Sequence, residues 1–126
     1  MMELEDIIKI HQYLVKEFGG HNGIRDKELL SSAILRPFMT FGGMELYKTP
    51  EERASAYLES ILVNHPFVDG NKRTGYTLMR LMLLNNGKDL KATKKERYEM
   101  IMKVASGEYD YDHILNWLFR HTTKRK

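Results

Sequence analysis

The segment Asn64–Tyr76 reads NHPFVDGNKRTGY and decides the fold, because it separates two stretches with helical periodicity. Pro66 disfavours the α conformation of the residue before it, so the preceding helix is expected to stop at His65. The next helix is expected to begin near Lys72 and Arg73, where the helix dipole disfavours positive charge by roughly 0.3–1 kcal/mol per cation. The same terminus offers unpaired backbone N–H groups that favour a bound anion. The segment therefore predicts a phosphate-binding site between two helices.

Helical periodicity also covers most of the remaining chain. Apolar residues recur three and four positions apart, and capping residues, glycine or proline mark the ends of these stretches. The predicted helices are a first one stopped by FGGHNG (18–23), a second capped by Asp26 and ended by Pro37, a third opened by the capping box Thr49–Glu52, a central one closed by NNG (85–87), a fifth from Thr93 to Ala105 and a last one capped by Asp110.

The apolar positions of these helices predict the core. They are Leu4, Ile7, Ile8, Leu14, Val15 and Phe18 in the first helix; Leu29, Leu30, Ala33, Ile34 and Leu35 in the second; Ala54, Tyr57, Leu58, Ile61 and Leu62 in the third; Tyr76, Met79 and Leu83 in the central one; and Ile114, Leu115, Trp117, Leu118 and Phe119 in the last.

Residues 38–48, FMTFGGMELYK, break the helical period. Two short apolar runs flank Gly42 and Gly43, which predicts a small β-hairpin or flap. A simple glycine-rich connector is the alternative interpretation.

Composition limits the class of protein. With 126 residues, 42% of them apolar, the chain is expected to form one domain over residues 1–126. No run approaches the roughly 20 apolar residues of a membrane-spanning helix, and the acidic start MMELEDIIKI is unlike a signal peptide. The absence of cysteine excludes disulfides and thiolate zinc sites and is typical of a cytoplasmic protein. The terminal HTTKRK (121–126) is expected to fray.

The other residues of the segment suit phosphoryl chemistry. His65 is able to take a hydroxyl proton from a nucleophile, and the Asp69 carboxylate is able to hold Mg²⁺ against phosphate oxygens. Gly70 relaxes the backbone, and Asn71 tolerates positive φ better than most residues. Each of these residues alone would more often be a cap, a turn or a solvated charge. Their occurrence together within nine residues favours a functional site.

The stretch HPFVDGNKR (65–73) resembles the signature of Fic-domain proteins, and lysine in its penultimate place is similar to the death-on-curing (Doc) toxin branch. The resemblance implies an all-α fold, a compact Fic-type helical bundle with a β-hairpin flap. It also implies ATP and Mg²⁺ as cofactors.

Individual roles follow from the same resemblance. His65 would be the catalytic base and Asp69 the ligand of nucleotide-bound Mg²⁺. Gly70, Asn71 and Lys72 would form the anion hole, and Arg73 would contact nucleotide phosphate; Lys72 and Arg73 would thereby also serve catalysis. The flap residues implied to pair with an extended target segment are Thr40, Phe41, Gly42 and Gly43.

Two departures from the Fic pattern favour a particular reaction. Members that transfer AMP have glycine where this chain has Lys72, and a second arginine where it has Tyr76. Doc-like proteins share both departures, which implies transfer of the γ-phosphate, with a threonine of elongation factor Tu as the family target. Pro66 and Gly70 match the wider Fic pattern, so adenylyl transfer stays open as an alternative.

The sequence lacks the self-inhibitory motif of some Fic proteins, since no glutamate is followed by glycine or asparagine. A separate antitoxin with a disordered segment is therefore expected.

Two other classes of function are alternatives. A catalytically silent binding module stays open on the residues alone. A nucleic-acid-binding protein is less favoured, because the net charge of +3 is modest and KATKKER (91–97) resembles the exposed start of a capped helix.

Overall fold

The computed structural model describes residues 2–125, and within them six α-helices form a bundle that confirms the predicted all-α class. A short 3-10 turn, Arg36–Phe38, follows the second helix at Pro37. The helices are α1 (Leu4–Phe18), α2 (Lys27–Leu35), α3 (Pro50–Asn64), α4 (Asn71–Leu84), α5 (Lys94–Ala105) and α6 (Tyr111–His121).

Helix starts follow the predicted caps. In α2, α3, α5 and α6 a cap side chain accepts a hydrogen bond from a backbone N–H of the first turn, at 3.0–3.2 Å. In α1, the Asp6 carboxylate accepts from the Glu3 N–H at 3.1 Å. Helix α4 differs, because it starts after Gly70 without a side-chain cap. The four capping residues are Asp26, Thr49, Thr93 and Asp110.

Helices α3 and α4 make the most extensive contact in the molecule and form its centre. They approach closely at Gly75, where an added Cβ would lie 2.5 Å from Leu62 Cδ1. Predicted core residues of both helices are fully buried, among them Tyr57, Leu58, Ile61, Leu62, Met79 and Leu83. The remaining helices bury side chains against this pair, so the loop from α3 to α4 is fixed by the core at both ends.

Three predicted core positions were wrong. Phe18, Leu35 and Phe119 are 61%, 57% and 53% exposed. Phe18 and Leu35 are the last residues of α1 and α2, where the neighbouring helices no longer cover the periodic face. Phe119 follows the buried Leu118, one position around α6 and away from the core.

The predicted hairpin is present between α2 and α3. Strand β1 (Thr40–Phe41) pairs antiparallel with β2 (Met44–Glu45), in the register Thr40↔Glu45. Gly42 and Gly43 both have positive φ, of 58° and 79°, which tight hairpin turns require. Both strands are exposed, and the Arg53 guanidinium of α3 pairs with the Glu45 carboxylate at 3.0 Å at the hairpin base.

The prediction that the C-terminal HTTKRK frays was wrong as far as Arg125. Strand β4 (Thr122–Lys124) pairs antiparallel with β3 (Lys88–Leu90), and the Arg125 N–H donates to the Gly87 carbonyl at 2.8 Å. The polar side chains of this segment show no alternation typical of a strand, since the main-chain hydrogen bonds to β3 hold it in place. Lys126 lies outside the described residues.

No helix within residues 2–125 combines the length and the apolar character needed to cross a bilayer.

Replacing Tyr57 by phenylalanine is expected to stabilise the fold. The Tyr57 hydroxyl is buried without a hydrogen-bond partner among residues 2–125, and burial raises its pKa to about 12. Removing an unsatisfied buried polar group recovers about 1 kcal/mol or more of unfolding free energy. Urea denaturation of wild type and Tyr57→Phe at pH 7 measures this difference.

Tyr47→Phe is the matched control, because the Tyr47 hydroxyl accepts a hydrogen bond from Arg36 Nε at 3.0 Å. Removal of the Tyr47 hydroxyl is expected to lower the free energy of unfolding by about 1–3 kcal/mol, since the lost hydrogen bond involves a charged donor. A loss of stability in Tyr57→Phe comparable to that of Tyr47→Phe would contradict the prediction.

Candidate active site

The motif residues line one cleft at the N terminus of α4. Its cavity has a volume of about 770 Å³, within the range of small-molecule sites. The lining residues from the motif and α4 are His65, Val68, Asp69, Gly70, Asn71, Lys72, Arg73 and Tyr76, and those from α5 are Lys94, Arg97, Tyr98, Ile101 and Met102.

His65 ends α3 in a left-handed conformation, with φ 47° and ψ 57°. It is the one non-glycine residue with positive φ within residues 2–125. The Arg25 side chain donates to the carbonyls of His65 and Asn64, each at 2.6 Å, and so stabilises this helix end. Such a conformation costs roughly 1–3 kcal/mol and is typical of functional sites. The sequence predicted the helix stop at His65 but not its left-handed backbone.

Phe67 anchors the motif loop in the core. It is 1% exposed and stacks on the buried His11 ring of α1, with centroids 3.8 Å apart. His11 Nε2 also lies 2.7 Å from the Asp69 carbonyl oxygen. Sequence analysis missed this role of His11; its place four residues after Ile7 and three before Leu14, on the apolar stripe of α1, was the available signal.

Asn71 closes the loop with its side chain. Its Oδ1 accepts from the Phe67 N–H, and its Nδ2 donates to the Phe67 carbonyl, both at 3.0 Å. The left-handed residue is Gly70, with φ 77°, and Asn71 is the first residue of α4. The tolerance of asparagine for positive φ is therefore not used here, and α4 starts one residue earlier than expected.

Asp69 points its carboxylate towards backbone donors. Oδ1 accepts from the Gly70 N–H at 2.9 Å and Oδ2 from the His21 N–H at 3.2 Å. These two hydrogen bonds, the Gly70 bond first, lower the pKa of the exposed Asp69 carboxyl, so it is ionised at neutral pH. Gly20 has φ 114°, which favours glycine, and an added Cβ there would also lie 2.8 Å from Oδ2. The glycine-rich loop after α1 is thus part of the site, which the sequence did not reveal.

Lys72 and Arg73 lie exposed in the first turn of α4, as predicted. The Arg73 guanidinium lies 4.2 Å from the centroid of the Phe18 ring, an arrangement that orients it by a cation–π contact. Neither cation has a carboxylate within 4.0 Å among the residues that the structure describes. The uncapped helix end therefore carries two cations without a protein counter-ion.

The α5 wall was not predicted as part of the site. KATKKER does form a capped helix start, as expected, yet Lys94 and Arg97 line the same cavity as the motif. Only the packing of α5 beside α4 reveals this, because the two segments are separate in sequence.

The acidic groups present fit one kind of metal site. Residues 2–125 contain no cluster of three or more histidine or acidic side chains able to cage an ion. The single ionised Asp69 fits Mg²⁺, which usually takes one or two protein carboxylates together with substrate phosphates.

The flap residues Thr40, Phe41, Gly42 and Gly43 do not belong to the walls of this cavity. They lie on the exposed hairpin, where Phe41 is 80% exposed. Binding of a target segment at this hairpin stays a prediction.

Residues 2–83 match the sequence model described as the Fic/DOC family. A curated protein named Toxin Doc, from Mycolicibacterium smegmatis, is 39% identical over 99 residues, covering 77% of this chain and 76% of that protein. The matched family region ends within α4 and does not include α5.

Replacing Asn71 by alanine is expected to destabilise the protein by about 1–2 kcal/mol, because two half-buried hydrogen bonds to Phe67 are lost. Urea denaturation measures the effect. Asn116→Ala is the matched control, since Asn116 is exposed on α6 and its side chain has no hydrogen bond within the described part of the chain. Equal stability of the two variants would contradict the proposed structural role of Asn71.

Proposed function

Because this chain belongs to the Fic/DOC family, we propose that it is the toxin of a toxin–antitoxin pair and acts as a protein kinase that uses Mg²⁺ and ATP. The name of its relative, Toxin Doc, supports the toxin role. The kinase assignment is supported by the site itself and by the residue at position 72.

One observation carries the proposal. The uncapped N terminus of α4, the cations Lys72 and Arg73, the ionised Asp69 and the exposed His65 all face one cleft. Free backbone N–H groups and cations at a helix N terminus favour phosphate. Electrostatic stabilisation and positioning are most of what phosphoryl transfer requires from a protein.

The proposed reaction assigns a role to each of these groups. A target hydroxyl beside His65 gives its proton to the imidazole while its oxygen attacks the γ-phosphorus of ATP. The bond between this phosphorus and the β–γ bridging oxygen breaks, and ADP leaves with the electron pair. Asp69 would hold the Mg²⁺ that accompanies the nucleotide and neutralises phosphate charge. The backbone N–H groups of Asn71 and Lys72 would donate to phosphate oxygens, and that of Gly70 would join them once it leaves the Asp69 carboxylate that it bonds here at 2.9 Å. Arg73 would balance the phosphate charge.

Lys72 favours kinase chemistry over transfer of AMP. A lysine side chain fills space that glycine would leave for a phosphate, and it adds a charge next to the phosphate site. Tyr76 replaces the second motif arginine, so the motif alone offers one guanidinium. Both features support placing the γ-phosphate, instead of the α-phosphate, next to His65.

The target and the inhibitor are proposed from the family resemblance. A threonine of elongation factor Tu is the proposed substrate, with an extended segment added to the exposed β1–β2 hairpin. A separate antitoxin with a disordered segment is the proposed inhibitor. Since the target belongs to the translation machinery, the proposal requires a cytoplasmic location.

Labelled ATP identifies the transferred group. The protein is incubated with Mg²⁺, a bacterial lysate and ATP labelled at either the α- or the γ-phosphate. Label is expected to reach one protein band from the γ position only, and the band is expected to be elongation factor Tu modified on threonine. His65→Ala is expected to lower transfer about 100-fold or more, in line with the loss of a general base.

His113→Ala serves as the matched control, because His113 is an exposed histidine on α6 outside the cleft. Transfer from the α position would establish adenylyl transfer and overturn the kinase assignment. ATP binding without transfer from either position would leave a silent binding module.

Expression in bacteria tests the toxin role. Induction of the wild-type chain alone is expected to arrest growth and protein synthesis, because no partner is present to inhibit it. His65→Ala is expected to permit growth at the same protein level, and His113→Ala is expected to arrest it. Normal growth with soluble wild-type protein would contradict the toxin assignment.

A further inference from the structure

We propose that Arg97, held by the Tyr76 hydroxyl, is a second guanidinium that binds the polyphosphate chain of the nucleotide. This inference rests on the proposed function and deepens it. Tyr76 occupies the motif position where other Fic proteins have their second arginine, and here α5 supplies the charge instead.

Arg97 is half-buried and fixed by two neutral acceptors. One terminal nitrogen donates to the Tyr76 hydroxyl at 3.1 Å, and Nε donates to the Ala92 carbonyl at 3.1 Å. A guanidinium has five N–H donors, so three remain for a ligand. Both Tyr76 and Arg97 line the cavity that contains the motif.

The charged side chains that line the cavity within residues 2–125 are mostly positive. Four cations line it, Lys72, Arg73, Lys94 and Arg97, against the single carboxylate of Asp69. None of the four has a carboxylate within 4.0 Å among residues 2–125. Three arginines outside the cavity are paired with carboxylates: Arg36 with Glu59, Arg53 with Glu45 and Arg80 with Asp89. Arg25 and Arg120 instead donate to backbone carbonyls.

Asp89 is the carboxylate whose charge also reaches Arg97, but it is already engaged. Its two oxygens accept from Arg80 at 3.1 and 3.3 Å, and Oδ1 also accepts from the Leu90 N–H at 2.7 Å. The Arg80 bonds first, then the Leu90 bond and the charges of Arg80 and Arg97, lower the pKa of Asp89. Arg97 is therefore left without a dedicated counter-ion and is available for a ligand.

The position along α4 suits a chain of phosphates. Tyr76 follows Arg73 by three residues and Lys72 by four, so it lies on the same helix face, about one turn or 5.4 Å further along. Arg97 adds a guanidinium next to Tyr76, one helical turn beyond the phosphate site at the N terminus of α4. A single phosphate at the N terminus would not need this second cation, whereas a polyphosphate would contact both levels.

The rest of the cavity favours a nucleotide over an acidic peptide. Tyr98, Ile101 and Met102 line the α5 side next to Arg97 and offer aromatic and apolar surface. A ligand that combines a polyanion with a flat, largely apolar ring system would contact both kinds of surface. An acidic segment of a protein target is the competing occupant.

Calorimetric titration with ATP, ADP, AMP and adenosine in Mg²⁺ buffer tests the inference. In Arg97→Gln, affinity for ATP and ADP is expected to fall on the order of ten-fold or more, that for AMP less, and that for adenosine not at all. Tyr76→Phe keeps the ring but removes the acceptor for Arg97, so an intermediate loss for ATP and ADP is expected. Arg97→Lys, which keeps the charge without the planar fork, is expected to recover part of the loss.

Lys95→Gln is the matched control, because Lys95 is 85% exposed on α5, pairs with Glu99 at 3.8 Å and lies outside the cavity. Its affinities are expected to equal those of wild type. Thermal denaturation of each variant confirms that it is folded before titration.

Other outcomes overturn the inference in distinguishable ways. Unchanged ATP affinity in Arg97→Gln, with normal γ-phosphate transfer, would overturn it and leave the kinase proposal intact. An equal loss for adenosine and ATP would show that Arg97 only shapes the cavity. Normal ATP affinity with loss of transfer to the protein target would assign Arg97 to the acidic peptide. Failure of wild type to bind any nucleotide would overturn the proposed function itself, and this inference with it.

Discussion

The paired hydrogen bonds between the Asn71 side chain and the Phe67 backbone are the constraint on which the site depends. They close the loop between the two central helices, while Phe67 is held in the core against His11. Because both ends of the loop are fixed, the left-handed His65 and the exposed Asp69 have little freedom to relax. A strained residue and an exposed carboxylate persist here only because the surrounding core determines their positions.

The same closure leaves the N terminus of α4 without a cap. The other five helices have a side-chain cap or a capping box at their start, whereas α4 follows Gly70 without a side-chain cap and begins with Asn71 and two cations. The helix dipole, the backbone donors and the side-chain charges therefore all favour an anion at the N terminus of α4. Exposure of both cations to water limits the cost of this arrangement, and the proposed anionic ligand would make it favourable.

Local sequence predicted the elements well where one residue type has one dominant physical effect. Capping residues, Pro37 and the Gly42–Gly43 pair each specify a helix start, a helix end or a turn through their own backbone and side chain. Prediction from local sequence failed where the packing of distant residues decides the structure. Phe18 follows the helical period but lies beyond the cover of the neighbouring helices, next to the Arg73 guanidinium instead. The polar C-terminal segment forms a strand because β3 lies beside it, and no property of its own residues predicts that.

The sequence by itself determined the helical bundle, the hairpin and the motif residues at the helix junction, because these depend on short-range periodicity, capping and spacing. Only the tertiary structure decided which distant residues complete the site. His11 supports the loop from α1, the glycine-rich segment after α1 holds the Asp69 carboxylate, and Arg97 reaches Tyr76 from α5. These contacts join residues far apart in the chain, and their formation depends on how the helices pack around α3 and α4. Residue type and spacing do not specify that packing.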